Sequence, residues 1–231
     1  MEIKNKTVLV TGASSGIGNS IAKSFLEKGA KVIVFGINKP DLNVDFYKVD
    51  IKKEIEIKSA LSKIKKIDIL VNNSGVVKVS KIIDTSNDYF DDIFNTNFRG
   101  LFWMSKYSIP KINEMGCIIN ISSIAGLKSY EGYGIYCATK SAIISLTKTL
   151  AIELAEKKIR VNCIAPGIIK TPIWEKMYGN QGDKKLKEEE KTVLLKRAGK
   201  PEEIAQTSIF LCENEFINGE VIVVDGGEII Q

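Results

Sequence analysis

Seven short runs of apolar and β-branched residues recur along the chain, most of them spaced to leave room for an intervening helix. They read "KTVLVTG" from Lys6, "KVIVFG" from Lys31, "FYKVD" from Phe46, "IDILVNN" from Ile67, "CIINISS" from Cys117, "IRVNCIAPG" from Ile159 and "EVIVVDGG" from Glu220. Several are apolar throughout rather than alternating, as in parallel strands covered on both faces. Helix-period segments such as "GNSIAKSFLEKG" and "KSAIISLTKTLAIELAEKK" lie between them. The repetition predicts an α/β fold, a doubly wound parallel sheet of about seven strands with helices on both faces. No linker, repeat or low-complexity tract breaks it, so residues 1–231 read as a single domain. One spacing departs from the pattern. Only "INKPDLNVDFYK" separates the second run from the third, and Pro40 and the asparagine turns argue against a full helix there.

The first run leads into "VLVTGASSGIG", which sets Gly12, Gly16 and Gly18 after a strand and at the mouth of a helix. Glycine permits the tight turn, lets backbone approach a pyrophosphate, and leaves helix N-terminal N–H groups free for phosphate oxygens. The strand-before, helix-after context predicts a nucleotide phosphate site.

Composition then narrows the chemistry. The chain has no histidine, the usual proton carrier near neutral pH. Its four cysteines, Cys117, Cys137, Cys163 and Cys212, are scattered, so neither a metal site nor a disulfide framework is expected. No apolar run approaches the roughly 20 residues that span a bilayer, and "MEIKNKTVLVTG" is not a signal peptide. A cytoplasmic protein without a membrane partner is expected. The net charge of +5 comes from dispersed lysines, and the densest run, Gly182 to Arg197, mixes both signs. That is a solvated helix face rather than a nucleic-acid patch.

"SYEGYGIYCATK" places Tyr130, Tyr133 and Tyr136 close together. A phenol with a pKa of about 10 is a poor base, and bringing it toward neutrality takes roughly 4 kcal/mol of differential stabilisation. Residues four apart share a helix face, and of the three only Tyr136 has a cation at that spacing, Lys140. Gly132 and Gly134 place the helix start near Tyr136, leaving Tyr130 and Tyr133 on a loop, where they pack or touch substrate. Ser123 closes the fifth strand at the carboxyl end of the sheet, where ligands bind, and Ser122 points the other way.

Taken together these stretches resemble the short-chain dehydrogenase/reductase family, in its branch of roughly 250 residues. The resemblance rests on the T-G-x-x-x-G-x-G of Thr11 to Gly18, "NNSG" at Asn72 to Gly75, and "TNFRG" with Asn97. It continues through "INISS" with Ser123, "YCATK" with Tyr136 and Lys140, "APGIIKT" from Ala165 to Thr171, and the final "VDGG". It implies a Rossmann-like fold and NAD(P)-dependent hydride transfer to or from a secondary alcohol or carbonyl. In that mechanism Tyr136 is the proton acceptor, Ser123 orients the substrate oxygen, Lys140 depresses the phenol and binds ribose, and Asn97 keeps a proton relay connected. The cofactor residues implied are Gly12, Ser14, Ser15, Gly16, Ile17, Gly18, Asp50, Ile51, Asn72, Gly75, Tyr136, Lys140, Pro166, Gly167, Ile169 and Thr171. No metal is implied, and a homotetramer is.

The cofactor is NAD or NADP. Gly36 stands where NAD-preferring relatives carry aspartate, which favours NADP, although Ser15 replaces the basic residue of many NADP users. Lys39 could reach a phosphate and Asp41 a ribose. The substrate should be covered by residues 173–197, a mobile lid whose Trp174, Met177 and Tyr178 give it an apolar inner edge. The short second connection and "KTP" are similar to archaeal aldohexose dehydrogenases of the family, which makes an aldose oxidised at its anomeric carbon the leading substrate. A 3-oxoacyl thioester on a carrier protein, met by Lys184 and Lys185, is the alternative. From other classes, a serine hydrolase lacks its G-x-S-x-G and histidine here, and a methyltransferase has no use for the tyrosine–lysine pair. An extended-branch epimerase would need a longer C-terminal region. A non-catalytic cofactor sensor remains the competing reading.

Overall fold

Strand β1, Thr7–Thr11, sends Val8 and Val10 to one face of the sheet and Leu9 to the other, and all three are fully buried. Strand alternation thus builds two cores from one apolar run. On the first face Val8 and Val10 join Ile21 and Phe25 of helix α1, Gly16–Glu27. On the second, Leu9 meets Ile57 and Leu61 of α2, Glu54–Ser62. The computed structural model describes residues 1–231.

The remaining strands are β2 (Lys31–Gly36), β3 (Asp45–Lys48), β4 (Ile67–Asn72), β5 (Ile112–Ile121), β6 (Arg160–Pro166) and β7 (Val221–Val224). All pair in parallel in the order β3-β2-β1-β4-β5-β6-β7. This is the Rossmann-like doubly wound sheet that the sequence predicts. The connection from β2 to β3 holds no helix. Buried Pro40 sits in it, and Leu42 and Val44 pack on the first core instead. β5 begins at Ile112 rather than at Cys117, because the chain bends through Met115 (φ 61°) and Gly116 and re-enters the sheet.

Helices α3 (Asn87–Phe94) and α4 (Gly100–Ser108) are joined by a π turn, Asn95–Arg99. Then come α5 (Gly134–Glu153), α6 (Ile173–Tyr178), α7 (Gly182–Glu189) and α8 (Pro201–Glu213). The lysines of α7 are solvated while Leu186 is buried, and Lys185 pairs with Glu188 at 2.8 Å. The four cysteines are buried and unpaired. No helix is long and apolar enough to cross a membrane.

Candidate active site

Strand order reverses between β1 and β4, which opens a crevice beyond their carboxyl ends. The loop leaving β1 is built for close approach. Gly12 and Gly16 adopt φ of 69° and 58°, the region that favours glycine. A Cβ on Gly12 would stand 2.7 Å from Ser74 Oγ, and one on Gly18 2.3 Å from Asn73 Nδ2. Two residues from opposite sides of the crevice hold the loop. Thr11 Oγ1 accepts from the backbone N–H of both Asn73 and Ser74 at 3.0 Å. Asn73 Nδ2 donates back to the Thr11 and Gly12 carbonyls at 3.0 Å.

Ser15 occupies the N-cap of α1 without making a side-chain cap bond, and Ser14 is exposed. The first N–H groups of the helix therefore remain for an anion. Ile17 packs against the first core, and Thr171 lies 3.2 Å from where a Gly16 Cβ would be, joining the loop after β6 to the cradle. The side-chain-free channel and the free helix terminus fit a dinucleotide pyrophosphate.

Other expected cofactor residues divide between crevice and core. Gly36 ends β2 with no carboxylate, and a Cβ there would meet only ordinary contacts at 3.8–3.9 Å. Ile37 and Lys39 beyond it are exposed. Asp50 follows β3 and its Oδ1 accepts from Lys52 N–H at 3.0 Å. Ile51 is buried beneath Gly100, and Ile169 is buried beside Gly199, so both offer only backbone to a ligand. Pro166 ends β6, and Gly167 N–H donates to Val224 at 3.0 Å.

Asn72, like Ile51 and Ile169, offers only its backbone to a ligand. Its amide points into the core, donating to Ser105 Oγ at 3.1 Å and Asn120 Oδ1 at 2.9 Å, and Asn120 continues to Thr147. Alternation along β4 turns Asn72 away from the crevice and hands the bracing task to Asn73.

The expected catalytic residues converge. Tyr136 and Lys140 lie on one face of α5, with Lys140 Nζ 5.5 Å from the tyrosine ring centroid. That helix docks on the turn after β5 through Ser122 Oγ, which donates to the Lys140 carbonyl at 2.8 Å, and through Ser141, which donates to Gly126 at 2.8 Å. The docking sets Ser123 beside Tyr136. Ser123 Oγ accepts from Ala125 N–H at 3.1 Å and donates to the Pro166 carbonyl at 3.5 Å.

Asn97, fully buried, sits in the π turn and clasps both backbone groups of one residue, Val76. Its Oδ1 accepts from Val76 N–H at 2.8 Å and its Nδ2 donates to the Val76 carbonyl at 2.9 Å. A Cβ on Gly75 would come within 3.4 Å of Asn97 Oδ1 and 3.6 Å of Lys140 Nζ. Gly75 is thus the gap across which the two meet.

Desolvation dominates the electrostatics of the protein without cofactor. Burial pushes the Tyr136 phenol up to about 12, with Ser123 pulling weakly the other way. The same burial pulls the Lys140 ammonium down to about 8. Desolvation is the largest influence on both groups and Lys140 makes no hydrogen bond to the phenol, so Lys140 alone does not bring the phenol toward neutrality.

Beside Tyr136 the structure adds Glu228, which the sequence did not single out, to Tyr130, Tyr133 and Tyr178, which it did. Tyr130 OH donates to Glu228 Oε1 at 3.0 Å, and Glu228, only 7% exposed, also faces the Ile168 backbone N–H. Burial, first of all, raises the pKa of that carboxyl. A lone acid in the otherwise uncharged "GGEIIQ" was the available signal. Tyr133 caps the start of α5 and lies 3.2 Å, hydroxyl to hydroxyl, from Tyr178. The segment 173–197 is thereby tied over the site through α6.

Comparison with known proteins agrees with this geometry. A family model described as enoyl-(acyl carrier protein) reductase matches residues 12–228. The 3-oxoacyl-[acyl-carrier-protein] reductase of Thermotoga maritima is 35% identical over the whole of both chains. Its counterpart in Chlamydia trachomatis serovar D is 38% identical over 96% of this chain and 97% of its own. Among solved structures, the ligand-free aldohexose dehydrogenase of Thermoplasma acidophilum superposes with a TM-score of 0.93 at 33% identity, covering 99% of this chain and 96% of that one. The chain belongs to the short-chain dehydrogenase/reductase family of NAD(P)-dependent oxidoreductases.

Proposed function

We propose that this oxidoreductase oxidises an aldose at its anomeric carbon, with Tyr136, Ser123, Lys140 and Asn97 as its working residues. The observation that carries the substrate is the wall beside Tyr136, where the Tyr130–Glu228 and Tyr133–Tyr178 pairs combine aromatic faces with hydrogen-bonding groups. Such a wall suits a neutral ring bearing hydroxyls. The bound cofactor supplies a nicotinamide that accepts or returns the hydride. Tyr136 takes the hydroxyl proton as the C–H bond breaks, and Ser123 donates a hydrogen bond to the substrate oxygen. Lys140, ammonium at neutral pH, holds positive charge beside the phenol and would hold the ribose of a bound cofactor. Asn97 fixes the backbone at Val76 that frames this corner. Reduction reverses each step.

NADP is the proposed cofactor. Gly36 places no carboxylate against a 2′-phosphate, and Lys39 is exposed nearby. The apolar edge strand β7 and fully exposed Phe216 support association with further copies of the chain.

A second reading, reduction of a 3-oxoacyl thioester, is supported by the names of the Thermotoga and Chlamydia relatives. The test is turnover of sugars, secondary alcohols and 3-oxoacyl thioesters with both cofactors, followed by nicotinamide absorbance. Aldose oxidation with NADP is expected. Turnover of thioesters alone favours the second reading, and tight cofactor binding with no turnover favours a sensor.

A further inference from the structure

Two hydroxyls next to Tyr136 belong neither to proton transfer nor to the cofactor cradle. Tyr133 OH and Tyr178 OH face each other at 3.2 Å and make no other hydrogen bond within the chain. One comes from the start of α5 and the other from the end of α6, so the pair bridges the two elements that flank the reacting centre. The Tyr133 ring meets Tyr136 edge-on, centroids 6.3 Å apart. Tyr178 stacks on Trp174, whose indole N–H is anchored on the Ile169 carbonyl at 2.9 Å. Tyr130 holds the other side of Tyr133, centroids 6.2 Å apart, and is itself pinned by Glu228.

The rings are therefore fixed while their hydroxyls are only half used. A mutual hydrogen bond consumes one of the two O–H protons and leaves the other, with free acceptor sites, for a ligand. Both residues keep partial exposure. Burial, followed by Tyr178, holds the Tyr133 phenol well above its ordinary range, so it stays a donor. Glu189 lies near enough to act on Tyr133, and with the Glu228 carboxyl it makes this wall poorly suited to an anionic group.

We infer that Tyr133 and Tyr178 form a specificity-determining pair that binds the substrate hydroxyl on the carbon adjacent to the reacting one. The inference rests on the aldose reading above and deepens it. A site built to hydrogen-bond a hydroxyl discriminates against the analogue lacking it, because the paired groups are left unsatisfied.

The experiment compares wild type, Tyr133→Phe, Tyr178→Phe and the double variant on three substrates. These are an aldose, the same sugar lacking the hydroxyl next to the anomeric carbon, and a simple secondary alcohol. Cofactor Kd, measured in parallel, reports whether each variant is intact. Each single variant is expected to lose about tenfold in kcat/KM on the full sugar, mostly through KM, the size of one hydrogen bond. The deoxy sugar and the alcohol should be unaffected, and the double variant should resemble the singles. Equal losses on both sugars, or no loss, would overturn the pair's role while leaving aldose oxidation intact. A wild type that reduces 3-oxoacyl thioesters and oxidises no aldose would overturn both.

Discussion

The Lys140 ammonium lies 5.5 Å from the centre of the Tyr136 ring, yet it donates to the Ile121 carbonyl at 3.0 Å and not to the phenol. Burial drives both groups toward their neutral forms, the phenol up to about 12 and the ammonium down to about 8. At neutral pH both remain protonated. Further positive charge beside the phenol favours the phenolate, so its pKa must fall when oxidised nicotinamide binds. Lys140, Ser123, Cys137 and Tyr133 are the groups that face it from the protein. Ultraviolet titration should therefore show one phenol moving down by at least about one unit, or 1.36 kcal/mol, on saturation with oxidised cofactor. Reduced cofactor and Tyr136→Phe should show no such shift. Oxidation should accelerate as pH rises through that titration, because only the phenolate accepts the proton. A Tyr136→Phe variant that binds cofactor and keeps wild-type turnover would end the mechanism.

Gly36 offers a direct test of cofactor choice. A Cβ there meets nothing closer than 3.8 Å and the backbone needs no left-handed φ, so a side chain can start from this position without a Cβ clash or backbone strain. A carboxylate at the end of β2 pairs with a ribose 2′-OH and repels a 2′-phosphate. Gly36→Asp should shift the ratio of kcat/KM toward NAD by at least about tenfold. Unaltered preference would show that the adenosine ribose lies elsewhere.

Thr11 makes the cradle dependent on one hydroxyl. Thr11→Val keeps the shape but strands the Asn73 and Ser74 N–H groups, at about 1–3 kcal/mol for an unsatisfied donor. Denaturant unfolding should show that loss, and calorimetry should show weaker cofactor binding, because the loop also hangs on Asn73. Thr11→Ser, which keeps the hydroxyl, should recover most of both. Equal behaviour of the two variants would remove the hydroxyl from the account.

Much of this was legible in the chain, for identifiable reasons. Apolar runs such as "VLV" and "IDILV" declare strands because both faces of a parallel sheet are covered, and the i, i+4 rule separates Tyr136 from its neighbours without coordinates. Asn72 and Asn73 could not be told apart, since adjacent strand-end residues point to opposite faces and composition does not say which faces the ligand. Glu228 and the Tyr133–Tyr178 contact were hidden because their partners lie far off in sequence. The upward push of burial on the Tyr136 phenol was not legible, because desolvation depends on how the surrounding elements pack and not on local spacing.

The segment over the site is anchored at its far end by Arg197, which donates to Glu203 Oε1 at 2.7 Å and to Oε2 at 2.9 Å. Glu203 Oε2 also accepts from the Lys200 N–H at 2.7 Å, capping α8. Arg197, and next the Lys200 N–H, hold the carboxyl at about 2 instead of the usual 4.5. A folded-state pKa below the unfolded one contributes stability above about 4.5 and loses it as pH falls toward about 2. The pair is solvent-accessible and screened, so its worth with the cap is about 1 kcal/mol. Glu203→Gln should therefore be about 1 kcal/mol less stable than wild type at neutral pH, the usual scale of such a cap and pair. Denaturant midpoints measured down the pH scale should converge across that window, and added salt should narrow the gap at neutral pH. A difference that persists undiminished in acid would assign the effect to packing of α8 rather than to charge.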